Sequence, residues 1–405
     1  MPDSDRPRFL IADEQDIKAG KVTDVYFERT VEVLRRKGIR KQVLAEVRAT
    51  SLPPGYQWAV FAGVQELAAL VSGLNATVKC LPEGEFFCAG EPVLSIEGEY
   101  TEFCIFETPL LGLLCQASGV ATKAARCKLA AGGAPPAGEK TVISFGARRM
   151  HPALAPMIER NAYLGGCDGV AVVKSAELIG EAPSGTMPHA LTLVVGNAEQ
   201  AFRMFDEIAP PEVKRVALVD TLCDEKFEAL TAARALGDRL SAVRLDTPES
   251  RRGDMAAILR EVRWELDLRG YQHVGLFVSG GLDEWKIAEL TPLADGFGVG
   301  TSISNAPVLN FALDIVEVEG EPFTKRGKPS GRKALLVCRK CGERRVAPEA
   351  KAEGQRCACG DQMQDLLEPL SELGRIVRDL PPVQALRQRV LAGLRSGRWQ
   401  LEKRA

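Results

Sequence analysis

Ser144-Phe145-Gly146-Ala147-Arg148-Arg149-Met150-His151-Pro152 follows a short apolar run that begins at Thr141. A ring, a glycine and two adjacent cations at the end of such a run suit a flat ligand that carries phosphate. The ring offers a stacking face, the glycine allows close backbone approach, and guanidinium forks match phosphate oxygens. Outward from this stretch the same design repeats. Short apolar runs at 141–145, 169–173, 213–219, 242–245, 273–278 and 296–299 read as strands, and polar or glycine-rich residues close each one. Helical spacing of three and four follows several of them, most clearly over 225–236 and 255–268. Strands alternating with helices pair in parallel, and chemistry in such arrays sits at the carboxyl ends of the strands. About six units are present where a full barrel has eight, which predicts an incomplete parallel β/α barrel, with an open doubly wound sheet as the alternative.

The rest of the chain divides around that array. With 405 residues it is too long for one ordinary core. Residues 1–118 mix short extended pieces with an amphipathic helix over 64–74 and read as an α+β domain; 119–305 form the barrel; 306–405 form a return segment, a cysteine module and a helical tail. The Gly- and Pro-rich stretch over 129–140 reads as a loop or lid connection. Lys and Arg total 52 against 54 acidic residues, for a net charge of −2, so no electrostatic footprint for nucleic acid or anionic lipid exists. A signal-peptide pattern is absent at Met1-Pro2-Asp3, and no uncharged apolar run reaches membrane length, which leads to the expectation of a cytoplasmic protein. Eleven cysteines, an odd number, fit reduced thiols and a metal site better than a disulfide framework.

Read in order, the strand ends are Arg148-Arg149, Lys174, Asp220-Thr221, Arg244-Leu245-Asp246-Thr247, Ser279-Gly280-Gly281 and Gly298-Val299-Gly300-Thr301. The two glycine loops can aim N–H groups at a phosphate. Asp220 and Asp246 either cap the following helices or hold ribose hydroxyls, Mg2+ or a histidine. Arg244 should point the same way as Asp246, two residues on, and could meet a ligand carboxylate in a two-point contact. Of three histidines, His273 suits a structural role, His151 a loop, and His189 either helix capping or acid–base and phosphoryl work.

The blocks Asp24-Val25-Tyr26-Phe27-Glu28-Arg29-Thr30, Phe145 to Arg149, Gly185-Thr186-Met187-Pro188-His189, Arg244 to Thr247, Ser279 to Gly281 and Gly298 to Thr301 resemble nicotinate phosphoribosyltransferase, in the archaeal-type form with a cysteine-bearing C-terminal module. The resemblance implies transfer of phosphoribose from phosphoribosyl pyrophosphate to the ring nitrogen of nicotinate in NAD biosynthesis, as a type II phosphoribosyltransferase with ligase-type coupling to ATP. It further implies Phe145 stacked on the pyridine, Tyr26 from a neighbouring subunit on the other face, and Asp168 near the pyridine substituent. Arg244 would face the carboxylate, and Arg148 and Arg149 the pyrophosphate. The 5-phosphate would sit on Gly280, Gly281, Gly298, Gly300 and Thr301. His189 would be the phosphorylated histidine, bonded by Asp220 and Asp246, with Mg2+ on the pyrophosphate. His189 lies between Pro188 and Ala190 where relatives place an acid, so ATP is expected to stimulate without being strictly required. A shared Tyr26 implies a homo-oligomer, at least a dimer, with a hexamer within range. Quinolinate or nicotinamide as the base, or a non-enzymatic binding protein on the same fold, are the alternatives.

Cys338 and Cys341, then Cys357 and Cys359, lie within 22 residues and suit a structural Zn2+ held by four thiolates. The tail over 380–405 places Arg387, Arg389, Arg395, Arg398, Lys403 and Arg404 among apolar residues at helical spacing, as a helix packed on its own protein does.

Overall fold

The computed structural model describes residues 9–133 and 139–402. The centre of the expected 129–140 loop, and the tail cations Lys403 and Arg404, lie outside the described residues. The chain divides into two compact units: one runs to Gly119 and adds Val308–Pro382, the other comprises Val120–Pro307 and Val383–Ala405. Residues 306–405 therefore do not stand together. Strand pairing claims their first part for the opening unit, and the tail helix Val383–Arg395 belongs with the barrel.

In the first unit a seven-stranded antiparallel sheet runs in the order Glu321–Pro322, Phe311–Val318, Gln42–Ala49, Pro92–Glu99, Ala76–Cys80, Glu368–Glu372, Arg375–Ile376. Gln42–Ala49 is central, so all of it after Gln42 is buried. Its Glu46 meets Lys333 at 3.2 Å, a partner that a buried carboxylate requires. The helix Val64–Val71 turns Val64, Leu67, Ala68 and Val71 onto this core, and the Glu83 carboxylate accepts from the Gly63 and Val64 amides at 2.8 and 3.2 Å to cap it. A smaller three-stranded sheet, Arg344–Pro348, Lys333–Cys338 and Met363–Asp365, carries the clustered cysteines.

The second unit holds the parallel array as a curled half-barrel. Its strands are β1 (Thr141–Ser144), β2 (Gly169–Val170), β3 (Arg215–Leu218), β4 (Leu240–Leu245), β5 (Gly275–Ser279) and β6 (Gly296–Val299). Their order is β2-β1-β6-β5-β4-β3, all pairs parallel, so the last strand returns to the first and the seam falls between β2 and β3. Three of the six are fully buried or nearly so, as expected of strands covered on both faces; the helices Glu225–Leu236 and Met255–Leu268 add Leu230, Leu236, Leu259, Val262 and Leu266 to that core. Strand β2 ends at Val170, and Val173 opens the helix Val173–Ile179 in place of the longer strand expected. Lys174 consequently lies in the first turn of that helix, exposed and paired with Glu177 at 2.6 Å.

One helical stretch, Tyr100–Gly132, is long and apolar enough by length and composition to cross a membrane, and 56% of its most apolar window is buried. Its cations Lys123, Arg126 and Lys128 all have carboxylate partners inside the fold, which is how a core helix carries charge.

Candidate active site

A cavity of about 440 Å³ opens at the carboxyl ends of the half-barrel strands. Phe145, Arg148, Arg149, Arg244, Asp246, Gly280, Gly281, Gly298, Gly300 and Thr301 all line it. Phe145 follows β1 directly, and its amide donates to the Val299 carbonyl at 2.8 Å, which fixes the ring at the edge of the sheet. The ring leans on Phe277 with centroids 6.4 Å apart, and the Arg244 guanidinium lies 5.2 Å from its centroid. Gly298 is required by this placement, because a Cβ there would stand 2.4 Å from Phe145 Cε2. Gly146 is equally constrained, its Cβ position falling 2.5 Å from the Gly300 carbonyl oxygen. Gly280 and Gly281 take φ of +87° and +65°, a left-handed pair that side chains resist.

Arg244 and Asp246 do point the same way. Arg244 Nε donates to Ser279 Oγ at 2.9 Å, Nη1 to Thr186 Oγ1 at 2.8 Å and Nη2 to Asp246 Oδ2 at 3.1 Å, while Ser279 donates to Asp246 Oδ1 at 2.8 Å. Two strand ends and the 186 turn are thereby locked to one planar fork.

His189 adjoins this network. It opens the helix His189–Val195 but does not cap it; its Nδ1 lies 2.9 Å from Thr221 Oγ1, and its Nε2 lies 3.7 Å from Asp246 and 3.9 Å from Asp220. Neither acid is a helix cap: Asp224 caps Glu225–Leu236, and Pro248 precedes Glu249–Arg252. Asp220 is 4% exposed at its side chain, no side chain hydrogen-bonds either carboxylate oxygen, and only the Asp246 backbone and the Arg244 charge favour its ionised form. Burial, then the nearby Asp246 charge, push it up to about 7.

Two expected site residues are not brought here. Asp168 lies at the amino end of the sheet, where its carboxylate accepts from Lys128 and from the Val142 amide at 2.8 Å each and from Arg387 at 2.5 Å. These three bonds pin the tail helix and β1 and make it a turn anchor. Tyr26 belongs to the first unit, on the helix Val25–Arg36, with 55% of its surface exposed. His151 accepts from the Ala153 amide as a turn cap, and His273 is exposed just before β5.

The cavity also contains residues that the sequence reading did not place in it: Lys123, Leu282, Asp283 and Ser302. Lys123 comes from the helix Glu107–Lys128, outside the strand-end pattern. A cation set among Val120, Ala121, Ala124 and Ala125 is the signal that could have found it, since a buried helix face admits charge only where something receives it.

In the first unit, the sulfurs of Cys338, Cys341, Cys357 and Cys359 lie within 4.8 Å of one another. The Cys341 amide donates to the Cys338 sulfur at 3.5 Å and holds that thiol below its usual range, and the Cys359 amide donates to the Cys357 sulfur at 3.3 Å. This cluster could bind a metal.

Profiles of quinolinate phosphoribosyl transferase match the chain, its N-terminal domain over residues 24–118 and its C-terminal domain over 120–314. A nicotinate phosphoribosyltransferase of Mycobacterium tuberculosis is 32% identical over 98% of this chain and 94% of its own length. The chain belongs to the nicotinate phosphoribosyltransferase family. Family members from Bacillus subtilis and Homo sapiens are 28% and 26% identical over 73% and 87% of this chain, covering 66% and 73% of their own lengths. A solved structure of nicotinate-nucleotide pyrophosphorylase from Pyrococcus furiosus superposes with a TM-score of 0.92 at 53% identity, covering 96% of this chain and 98% of that one. The human nicotinic acid phosphoribosyltransferase structure shares the fold at a TM-score of 0.69, covering 93% of this chain and 94% of that one at 21% identity.

Proposed function

We propose that this protein is a nicotinate phosphoribosyltransferase of NAD biosynthesis, forming nicotinate mononucleotide and pyrophosphate from nicotinate and phosphoribosyl pyrophosphate. The observation that carries this reading is the Phe145 ring held beneath Arg244 at the rim of a cavity floored by two glycine loops. A pyridine stacked on Phe145 places a carboxylate against the guanidinium and presents its ring nitrogen toward ribose, the proximity contribution to rate. Arg148 and Arg149 are exposed cations at the mouth and suit the pyrophosphate, whose charge grows as it leaves. Backbone and hydroxyl groups of Gly280, Gly281, Gly298, Gly300 and Thr301 suit the 5-phosphate. Mg2+ arrives on the substrate's pyrophosphate and neutralises part of its charge; the unpartnered carboxylate of Asp220, with Asp246, fits such a cation or the ribose hydroxyls.

His189, bonded through Thr221 and facing two carboxylates, suits transient phosphorylation by ATP, in the ligase-type coupling of the family. With Pro188 and Ala190 as neighbours, ATP stimulates turnover and is not strictly required. Tyr26, exposed on its helix, suits the second face of the pyridine when supplied by another copy in a homo-oligomer. The four cysteines fit Zn2+ in a closed structural site, since four protein ligands leave no open position. A cytoplasmic location fits these soluble substrates.

The matched profiles carry the name of quinolinate phosphoribosyl transferase, so quinolinate is the second reading. One experiment separates them: purified protein with phosphoribosyl pyrophosphate and Mg2+ is offered nicotinate, nicotinamide or quinolinate, each with and without ATP. Mononucleotide from nicotinate, accelerated by ATP in wild type but not in His189→Ala, is the expected result. Mononucleotide with carbon dioxide from quinolinate alone would replace the reading, and no product from any base would remove it.

A further inference from the structure

Lys123 is 14% exposed and reaches the cavity from a helix that supplies no other lining residue. Its ammonium pairs with Glu284, the residue directly after the Gly280-Gly281-Leu282-Asp283 loop. Glu284 is 1% exposed and receives a second cation, Arg126 Nε, at 3.0 Å on its other oxygen. Arg126 is itself fully buried, lies 5.7 Å from the Trp285 ring centroid and pairs with Glu402 at 2.9 Å. Burial alone would push the Glu284 carboxyl up, but Lys123 and Arg126 outweigh it and hold it below its usual range. The carboxylate is therefore ionised and keeps the ammonium tethered beside the glycine loop.

A structural account alone does not explain this arrangement. Glu284 already has Arg126, and an apolar residue at 123 would continue the alanine-rich face on either side of it. A tethered lysine at a cavity rim adds a point charge aimed at an anion, and the pair of left-handed glycines just before its Glu284 anchor lines the same cavity.

We infer that Lys123 is a binding residue for the 5-phosphate of the ribose, with Glu284 and the buried Arg126–Glu402 pair as its positioning residues. This rests on the phosphoribosyl transfer reading given above. The chemistry recognised is a sugar phosphomonoester dianion; the more highly charged pyrophosphate is the other phosphate in the reaction, and the test separates the two.

Lys123→Met, Lys123→Gln and Lys123→Arg are compared with wild type in full-length protein, their folds checked by circular dichroism. Ribose 5-phosphate is titrated by calorimetry, pyrophosphate is assayed as product inhibitor, and KM is measured for each substrate. Losing one charge-assisted contact weakens ribose 5-phosphate binding and raises KM for phosphoribosyl pyrophosphate roughly 10- to 100-fold in Met and Gln, with partial rescue by Arg. KM for nicotinate and inhibition by pyrophosphate stay within about twofold of wild type, because neither ligand carries that phosphate. Weakened pyrophosphate inhibition with intact ribose 5-phosphate binding would overturn the assignment, and so would no change in either. If Met does not fold, Gln, which can still bond Glu284, is read by the same criteria. Wild-type protein that binds ribose 5-phosphate through Lys123 yet makes no mononucleotide would sink the transferase reading while leaving this one standing.

Discussion

Replacing Asp220 by Asn should stabilise the folded protein, and increasingly so as the pH rises. The carboxyl is almost wholly buried, has no side-chain hydrogen-bond partner on either oxygen, and is pushed up to about 7 by burial and by the Asp246 charge. In the unfolded chain the same group ionises near 4. Between these values the folded protein holds a proton that the unfolded chain has lost, so stability falls as pH rises from about 4 to about 7 and is level above that. At ~1.4 kcal/mol per pH unit, the part of this loss between pH 5 and pH 7 is about 2–3 kcal/mol. Asn keeps the size of the side chain and cannot ionise, which removes the dependence. Urea unfolding of wild type and Asp220→Asn at pH 5 and pH 8.5, without added Mg2+, should show the variant's relative stability rising by that amount between the two conditions. A variant no more favoured at pH 8.5 than at pH 5 would refute the reasoning and mean that Asp220 is solvated or ionised in the folded protein.

Arg244→Lys removes the fork that bonds Ser279 and Thr186 at once, and should raise KM for nicotinate roughly 10- to 100-fold in steady-state kinetics, with a smaller effect on phosphoribosyl pyrophosphate. Gly298→Ala drives a methyl into the Phe145 ring at 2.4 Å; the ring must swing, so kcat/KM for nicotinate should fall by about tenfold or more with a stability loss of ~1–3 kcal/mol by thermal melting. Metal analysis of protein purified without chelator should find about one zinc per chain, and Cys338→Ser should release it and lower the melting temperature of the first unit.

Much of the half-barrel was legible because parallel strands buried on both faces must be short apolar runs, and those at 141–145, 242–245 and 296–299 could be little else. Strand β2 was overread at Val173, since β-branched residues in Ala171-Val172-Val173 look the same whether they extend a strand or open a helix. The cavity residues contributed by strand ends were found because position along a parallel sheet already says where chemistry sits. Lys123 and Glu284 were missed because their meaning lies in a contact across 161 residues, which no local spacing records. Asp168 came from the resemblance alone, although it directly precedes the run read as a strand from 169; the fold places it at that amino end, bonded to Lys128 and Arg387. The grouping of 306–405 broke because Val43 pairs with Val318, a register invisible before the sheet exists.

The pairing of β6 with β1 also sets a timetable for the nascent chain. Thr141 leaves the ribosome 155 residues ahead of Gly296, its partner, an interval of roughly 8–30 s at ordinary translation rates. Throughout it one edge of β1 carries unpaired amides and carbonyls, and the Gln42–Ala49 edge that awaits Phe311–Val318 is open for longer still. Neither unit can close before the other is almost fully made, so both finish nearly together.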